Sequence, residues 1–144
     1  MLIRYFIILI QINLLLSTFS IVAIDTLTNE VGSAGASCIG NSVIISDIHP
    51  NIGAIHTQSY YLQYNQNYAS ELMILGLSPS EIIEMLEEND IQNNPGIRQY
   101  GIVDMVNGGR SAAFTGNNCI DYKGHITGPN YSIQGNILLG PEIL

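Results

Sequence analysis

Thr18-Phe19-Ser20-Ile21-Val22-Ala23-Ile24-Asp25 follows directly on an apolar leader, and its reading decides the fold. The run is rich in β-branched residues and alternates in part, so it reads as a strand. Met1 to Leu16 are apolar but for Arg4, Gln11 and Asn13. Arg4 supplies a positive n-region, Tyr5–Ile10 and Leu14–Leu16 an h-region, and Ser17 a small residue at a suitable distance. Residues 1–17 therefore read as a secretory signal peptide, and the protein as exported, either secreted or periplasmic. Two cuts fit. One after Ser17 makes Thr18 the new N-terminus; one after Ser20 removes Thr18 altogether. A free N-terminal threonine carries a nucleophilic hydroxyl and its own base, the α-amine, in one residue. That amine has a reference pKa of about 7.7–8.0 and is partly unprotonated near neutrality. Against this stands the plainer reading of Thr18 as a strand-end residue.

Composition sets limits. The chain has 144 residues, about 127 once the leader is removed, enough for one core. Behind the leader, twelve acidic residues face three basic ones (Arg98, Arg110 and Lys123), a net charge of −9. No basic patch interleaves with aromatics, which excludes nucleic acid as a partner. The leader is too short and too polar in its middle for a confident membrane span, and no second apolar run of spanning length exists, so no stable span is expected after cleavage. Cys38 and Cys119 fit either a disulfide or two free thiols. A bridge would close a loop of about 80 residues and contribute roughly 4 kcal/mol on the chain-entropy view.

Further along, Val31–Cys38 is a strand of small residues forming a hairpin with the first. Asn41–Ser46 reads as a short strand or extended loop, and Asn51–Thr57 as a strand. Asn65 to Leu75 is a helix with Gly76 at its C-terminal cap. Ser78-Pro79-Ser80-Glu81 is a capping box with proline at the first helical position, opening a helix with Ile82, Ile83, Met85 and Leu86 on one side. Arg98–Met105 and Arg110–Phe114 are strands joined by the turn signal Asn107-Gly108-Gly109. Thr115–Pro129 reads as a Gly- and Asn-rich loop, and Tyr131–Leu138 as a last strand. Antiparallel hairpins with paired helices on one side predict an α+β layered fold.

Several blocks, in order, carry a family resemblance: Thr18-Phe19-Ser20-Ile21-Val22-Ala23, Thr57-Gln58, Gly76-Leu77-Ser78-Pro79-Ser80-Glu81, Arg98-Gln99-Tyr100-Gly101-Ile102-Val103-Asp104, Ala112-Ala113-Phe114-Thr115-Gly116, Gly124-His125-Ile126-Thr127-Gly128 and Gln134-Gly135-Asn136-Ile137-Leu138-Leu139-Gly140. Together they resemble the family called domain of unknown function 1028, over Thr18 to Leu144. The resemblance implies an αββα sandwich of the N-terminal nucleophile hydrolase type, an amide-hydrolysing ancestry, and Thr18 in the nucleophile position. It gives no substrate. Two departures stand out. Many members carry a lysine at the end of the second strand, where this chain reads Ala36-Ser37-Cys38. Members also usually continue well beyond the Gln-Gly-Asn block, so the domain over 18–144 is expected to be incomplete at its C-terminus.

On this reading Gln58 and Asn136, at strand ends in matching blocks, are the candidate side-chain donors to an oxyanion. Each is equally read as a satisfied partner of backbone in a turn. His125 and Arg98 are candidates for substrate binding, with a structural loop histidine and a carboxylate-paired arginine as the plainer alternatives. Asp47, His49 and His56 make at most half a metal site, so neither metal nor cofactor is expected. Two functions follow: an exported amidohydrolase acting on a small-molecule or peptide-like substrate through Thr18, or a secreted binding or structural module of the same fold without the chemistry. Either is compatible with a homo-oligomer.

Overall fold

The computed structural model describes residues 17–144; the leader reading falls almost wholly on residues 1–16 and lies outside the described residues. The order is β1 (Thr18–Asp25), β2 (Glu30–Ser37), β3 (Ser46–His49), β4 (Gly53–Ser59), α1 (Gln63–Ile74), α2 (Pro79–Glu88), β5 (Arg98–Asp104), β6 (Arg110–Thr115), β7 (Gly124–Gly128) and β8 (Tyr131–Asn136). The strands form two antiparallel sheets, β2-β1-β8-β7 and β3-β4-β5-β6. The α+β class holds. One strand, β7, lies in what reads as a loop, and the segment before β3 is a 3-10 turn over Ser42–Ile45.

The helices end where their signals place them. Gly76 takes φ +89, and the Gly76 and Leu77 N–H groups donate to the Met73 and Leu72 carbonyls at 2.9 and 3.1 Å. That is a left-handed glycine cap. In the capping box the Ser78 N–H donates to Glu81 Oε2 at 2.7 Å and the Glu81 N–H to Ser78 Oγ at 3.4 Å.

Both helices cover one face of the second sheet. Ala69, Leu72, Met73, Ile82, Ile83 and Leu86 pack on Ile55, Tyr100 and Ile102, with Phe114 stacked on Tyr100 at 6.0 Å. Each large side chain so buried contributes roughly 1.5–3 kcal/mol. Arg98 and Asp90 form a buried ion pair of 2.7 Å that ties the end of α2 to β5.

The first sheet stacks on the opposite face of the second. Val22, Ile24, Ala54 and Val103 make the apolar end of this inter-sheet layer. The other end is polar: Ser20, His56, Gln58, Gln99, Gln134 and Asn136 are all buried in it. The alternate residues of the first sheet, among them Phe19, Ile21, Ala34, Ala36, Ile126 and Ile133, point outward. Among the described residues no helix covers that face, so the layers present are helix, sheet, sheet.

Candidate functional site

Thr18 opens the central strand β1 and is paired on one side with Ser37 of β2 and on the other with Asn136 of β8. Its hydroxyl lies 2.8 Å from the Ser37 hydroxyl. The three residues meet a cavity of about 220 Å3, whose other walls are Cys38, Ile39, Ser59, Tyr60, Ile120 and Ile137. Among the described residues no Asp, Glu, Lys or Arg lines it.

Two of those wall residues hold left-handed backbone: Ser59 at φ +70 and Ile137 at φ +56. For a β-branched residue such as Ile137 this is a genuine outlier. Such conformations cost on the order of 1–3 kcal/mol and gather at functional sites. Ile137 is held there by its N–H, which donates to the Ile120 carbonyl at 3.0 Å.

Behind the cavity runs a chain of side-chain hydrogen bonds. Asn136 Nδ2 donates to Gln99 Oε1 at 3.0 Å, and Gln58 Nε2 donates to the same oxygen at 2.7 Å. Ser20 Oγ donates to Gln58 Oε1 at 2.6 Å and accepts from Gln134 Nε2 at 2.7 Å. Gln134 Nε2 also faces His56 Nδ1 at 3.3 Å, and His56 Nε2 is 2.6 Å from Ser33 Oγ. Burial alone pushes the His56 pKa down from 6.5 to about 4, so the ring is neutral at ordinary pH. With Nδ1 accepting from Gln134, the proton sits on Nε2 and is donated to Ser33. His56 is therefore no base for that serine.

The residues singled out from sequence are placed as follows. Thr18 and Asn136 share the cavity wall. Gln58 lies one layer behind, off the cavity wall, its carbonyl accepting from Ser20 and its amide nitrogen donating to Gln99. His125 sits on the edge strand β7, with Nδ1 2.8 Å from Thr115 Oγ1, and Thr115 in turn accepts from Gln99 Nε2 at 2.9 Å. It joins the network but not the cavity wall. Arg98 is 2 % exposed, on the helix side of β5, with its guanidinium on Asp90, Gln92 and the Tyr60 carbonyl. It does not face the cavity. Asp47 and His49 come together at 3.3 Å beside Ser70, while His56 points into the inter-sheet layer. No group of three metal-ligating side chains forms among the described residues. Both thiols are free, Cys38 exposed and Cys119 buried with its Sγ donating to the Arg98 carbonyl. No described helix is long and apolar enough to cross a membrane.

Two residues emerge that sequence reasoning gave no role. Ser37 stands opposite Thr18 at the end of β2. Gln99 is the hub of the network, its amide nitrogen also donating to the Gly124 and Gly135 carbonyls. Its signal was available: on a strand that puts Tyr100 and Ile102 on one face, Gln99 and Gly101 must share the other, an odd place for an unpartnered amide.

The crystal structure of protein SPO2555 from Silicibacter pomeroyi, described with the family model DUF1028, is similar at a TM-score of 0.78 and 25% identity, over 89% of this chain. The chain spans 58% of the length of that protein. No curated protein matches it. A family model described as a family of unknown function (DUF1028) matches residues 18–144, and the chain belongs to that family.

Proposed function

We propose that this protein is an exported amidohydrolase of the N-terminal nucleophile type, released by cleavage after Ser17 and acting through Thr18. One observation carries the reading: the Thr18 hydroxyl heads the central strand and lies on the wall of a half-open cavity, 2.8 Å from the Ser37 hydroxyl. Hydroxyl and α-amine on one residue keep nucleophile and base at a fixed short distance. The hydroxyl attacks the amide carbonyl while the amine takes its proton. Asn136, whose Nδ2 has a second hydrogen beyond the one given to Gln99, is the side-chain donor to the oxyanion. Gln58 and Gln99 hold Asn136 in place. The strained Ser59 and Ile137 backbone fits a preorganised site. The inter-sheet arrangement suits the αββα sandwich of that hydrolase class.

The rival reading, a secreted binding module of the same fold, is favoured by the neutral side chains that line the cavity among the described residues. The test is the exported N-terminus, mapped by mass spectrometry, followed by amide turnover of the wild type and Thr18→Ala. A start at Thr18 and loss of turnover in the variant are expected. A start at Ile21, or a Thr18→Ala protein that hydrolyses as well as wild type, removes the nucleophile.

A further inference from the structure

Resting on the Thr18 reading, we infer that the site takes a small uncharged substrate, an amide or ester whose acyl group is short, aliphatic and free of carboxylate. The half-open cavity offers about 220 Å3. Sites for drug-sized ligands begin near ~300 Å3. Ile39, Ile120 and Ile137 supply apolar wall, and Ser37, Ser59 and Asn136 supply neutral hydrogen-bonding groups. The three basic side chains of the described residues are committed elsewhere: Arg98 to Asp90, Arg110 to Asp104 and Lys123 to Asp121, at 2.7, 2.6 and 3.0 Å. The α-amine of Thr18 stands at the reacting carbonyl, but the far end of an anionic acyl group would give up part of its water and meet no side-chain cation among the described lining residues, in a molecule whose overall field already repels it.

The chemistry agrees. The carbonyl C–N or C–O bond breaks and the acyl group forms an ester with Thr18 Oγ1. The hydroxyl proton passes to the α-amine and from there to the leaving amine or alcohol. Water then adds to the ester, restores the hydroxyl and releases an acid. That product ionises to a carboxylate, and no lysine or arginine among the described lining residues pairs with it to hold it back.

The experiment uses protein whose N-terminus has been mapped to Thr18, with p-nitrophenyl butyrate, p-nitrophenyl octanoate and mono-p-nitrophenyl succinate. Butyrate is expected to exceed succinate in kcat/KM by roughly 100-fold or more, the scale of an unpaired desolvated charge. Octanoate should be the slower of the two neutral esters, and Thr18→Ala should abolish all three. Ile120 is 49 % exposed, so Ile120→Lys is tolerated and should raise succinate turnover at least roughly tenfold by supplying the absent cation. Equal use of butyrate and succinate, with Thr18→Ala still inactive, overturns the charge rule and leaves the nucleophile standing. Octanoate as the best substrate overturns the size limit. No turnover and no acylated Thr18 peptide with any ester overturns the nucleophile, and this inference with it.

Discussion

Acidifying the protein from pH 7.5 to 4.5 should remove a large share of its stability through one side chain, His56. The ring is 1 % exposed, and its neutral form is held between Gln134 and Ser33. Its pKa falls from 6.5 in the unfolded chain to about 4 in the folded one. A base whose folded pKa is depressed contributes stability in full above the unfolded value and loses it as pH drops toward the folded value. The window is therefore pH 6.5 down to 4. The gap between the two values, at about 1.4 kcal/mol per pH unit, comes to about 3 kcal/mol, most of it gone by pH 4.5. Against a typical stability of about 5–15 kcal/mol this is a large fraction. The structural cause is specific. A second ring proton would face the Gln134 amide nitrogen, donor against donor, and turning that amide would break its bonds to Ser20 and Ser132. The assay is urea denaturation at half-unit pH steps, comparing wild type with His56→Gln. His125, also lowered by burial, titrates in both proteins and cancels in the comparison. Asp90, its pKa pulled well below the usual carboxylate range by hydrogen bonds from Arg98, Asn94, Asn65 and Gln92 that outweigh its burial, weakens the fold only below about pH 4. The variant should have a flatter pH profile between 6.5 and 4.5. An identical slope in both proteins would refute the assignment.

Gly101→Ala would place a Cβ 1.9 Å from Gln134 Oε1 and 2.4 Å from its Cδ, and Gln134 is anchored at both ends of its amide. A loss of about 3 kcal/mol in chemical denaturation is expected from overpacking and broken bonds. Arg98→Met leaves the Asp90 carboxylate buried without its cation and should cost about 3–5 kcal/mol in chemical denaturation. Ile137→Gly relieves the left-handed backbone and should raise the thermal midpoint by several degrees, about 1 kcal/mol of net stabilisation.

The elements were legible where local chemistry marks them. The capping box at Ser78, the glycine stop at Gly76 and the turn at Asn107 are short-range signals, and the helices and hairpins appear beside them. β7 escaped because Gly124-His125-Ile126-Thr127-Gly128 is five residues bounded by glycine; only pairing with Tyr131–Gly135 makes it a strand. The direction of β1 was also hidden. Its alternation announces a strand, but Ser20 and Phe19 are on the wrong sides for a simple rule: the serine is buried between the sheets and the phenylalanine faces out. Thr18 was singled out from the leader junction and Asn136 from a matching block, and the structure sets both on one cavity wall. The strand alternation puts Gln99 on the inner face of β5, but its partners Gln58 and Asn136 are 41 and 37 residues away, so the network itself has no local signal. Arg98 illustrates the opposite error of emphasis. An arginine in an acidic chain suggests an anionic ligand, but here Asp90, Gln92 and the Tyr60 carbonyl take up the guanidinium.

The layer of hydrogen-bonded amides between the sheets has a thermal consequence. Exposing apolar surface on unfolding raises heat capacity, and exposing polar surface lowers it. A domain whose central layer releases Gln58, Gln99, Gln134 and Asn136 along with Val22 and Ile24 should therefore show a smaller heat-capacity increment than its length suggests, below the usual ~12–15 cal/mol/K per residue. A smaller increment flattens the stability curve. The protein would lose less of its stability on cooling than a domain with an oily core of equal size, and calorimetry would read the polar character of that layer directly from the slope of unfolding enthalpy against temperature.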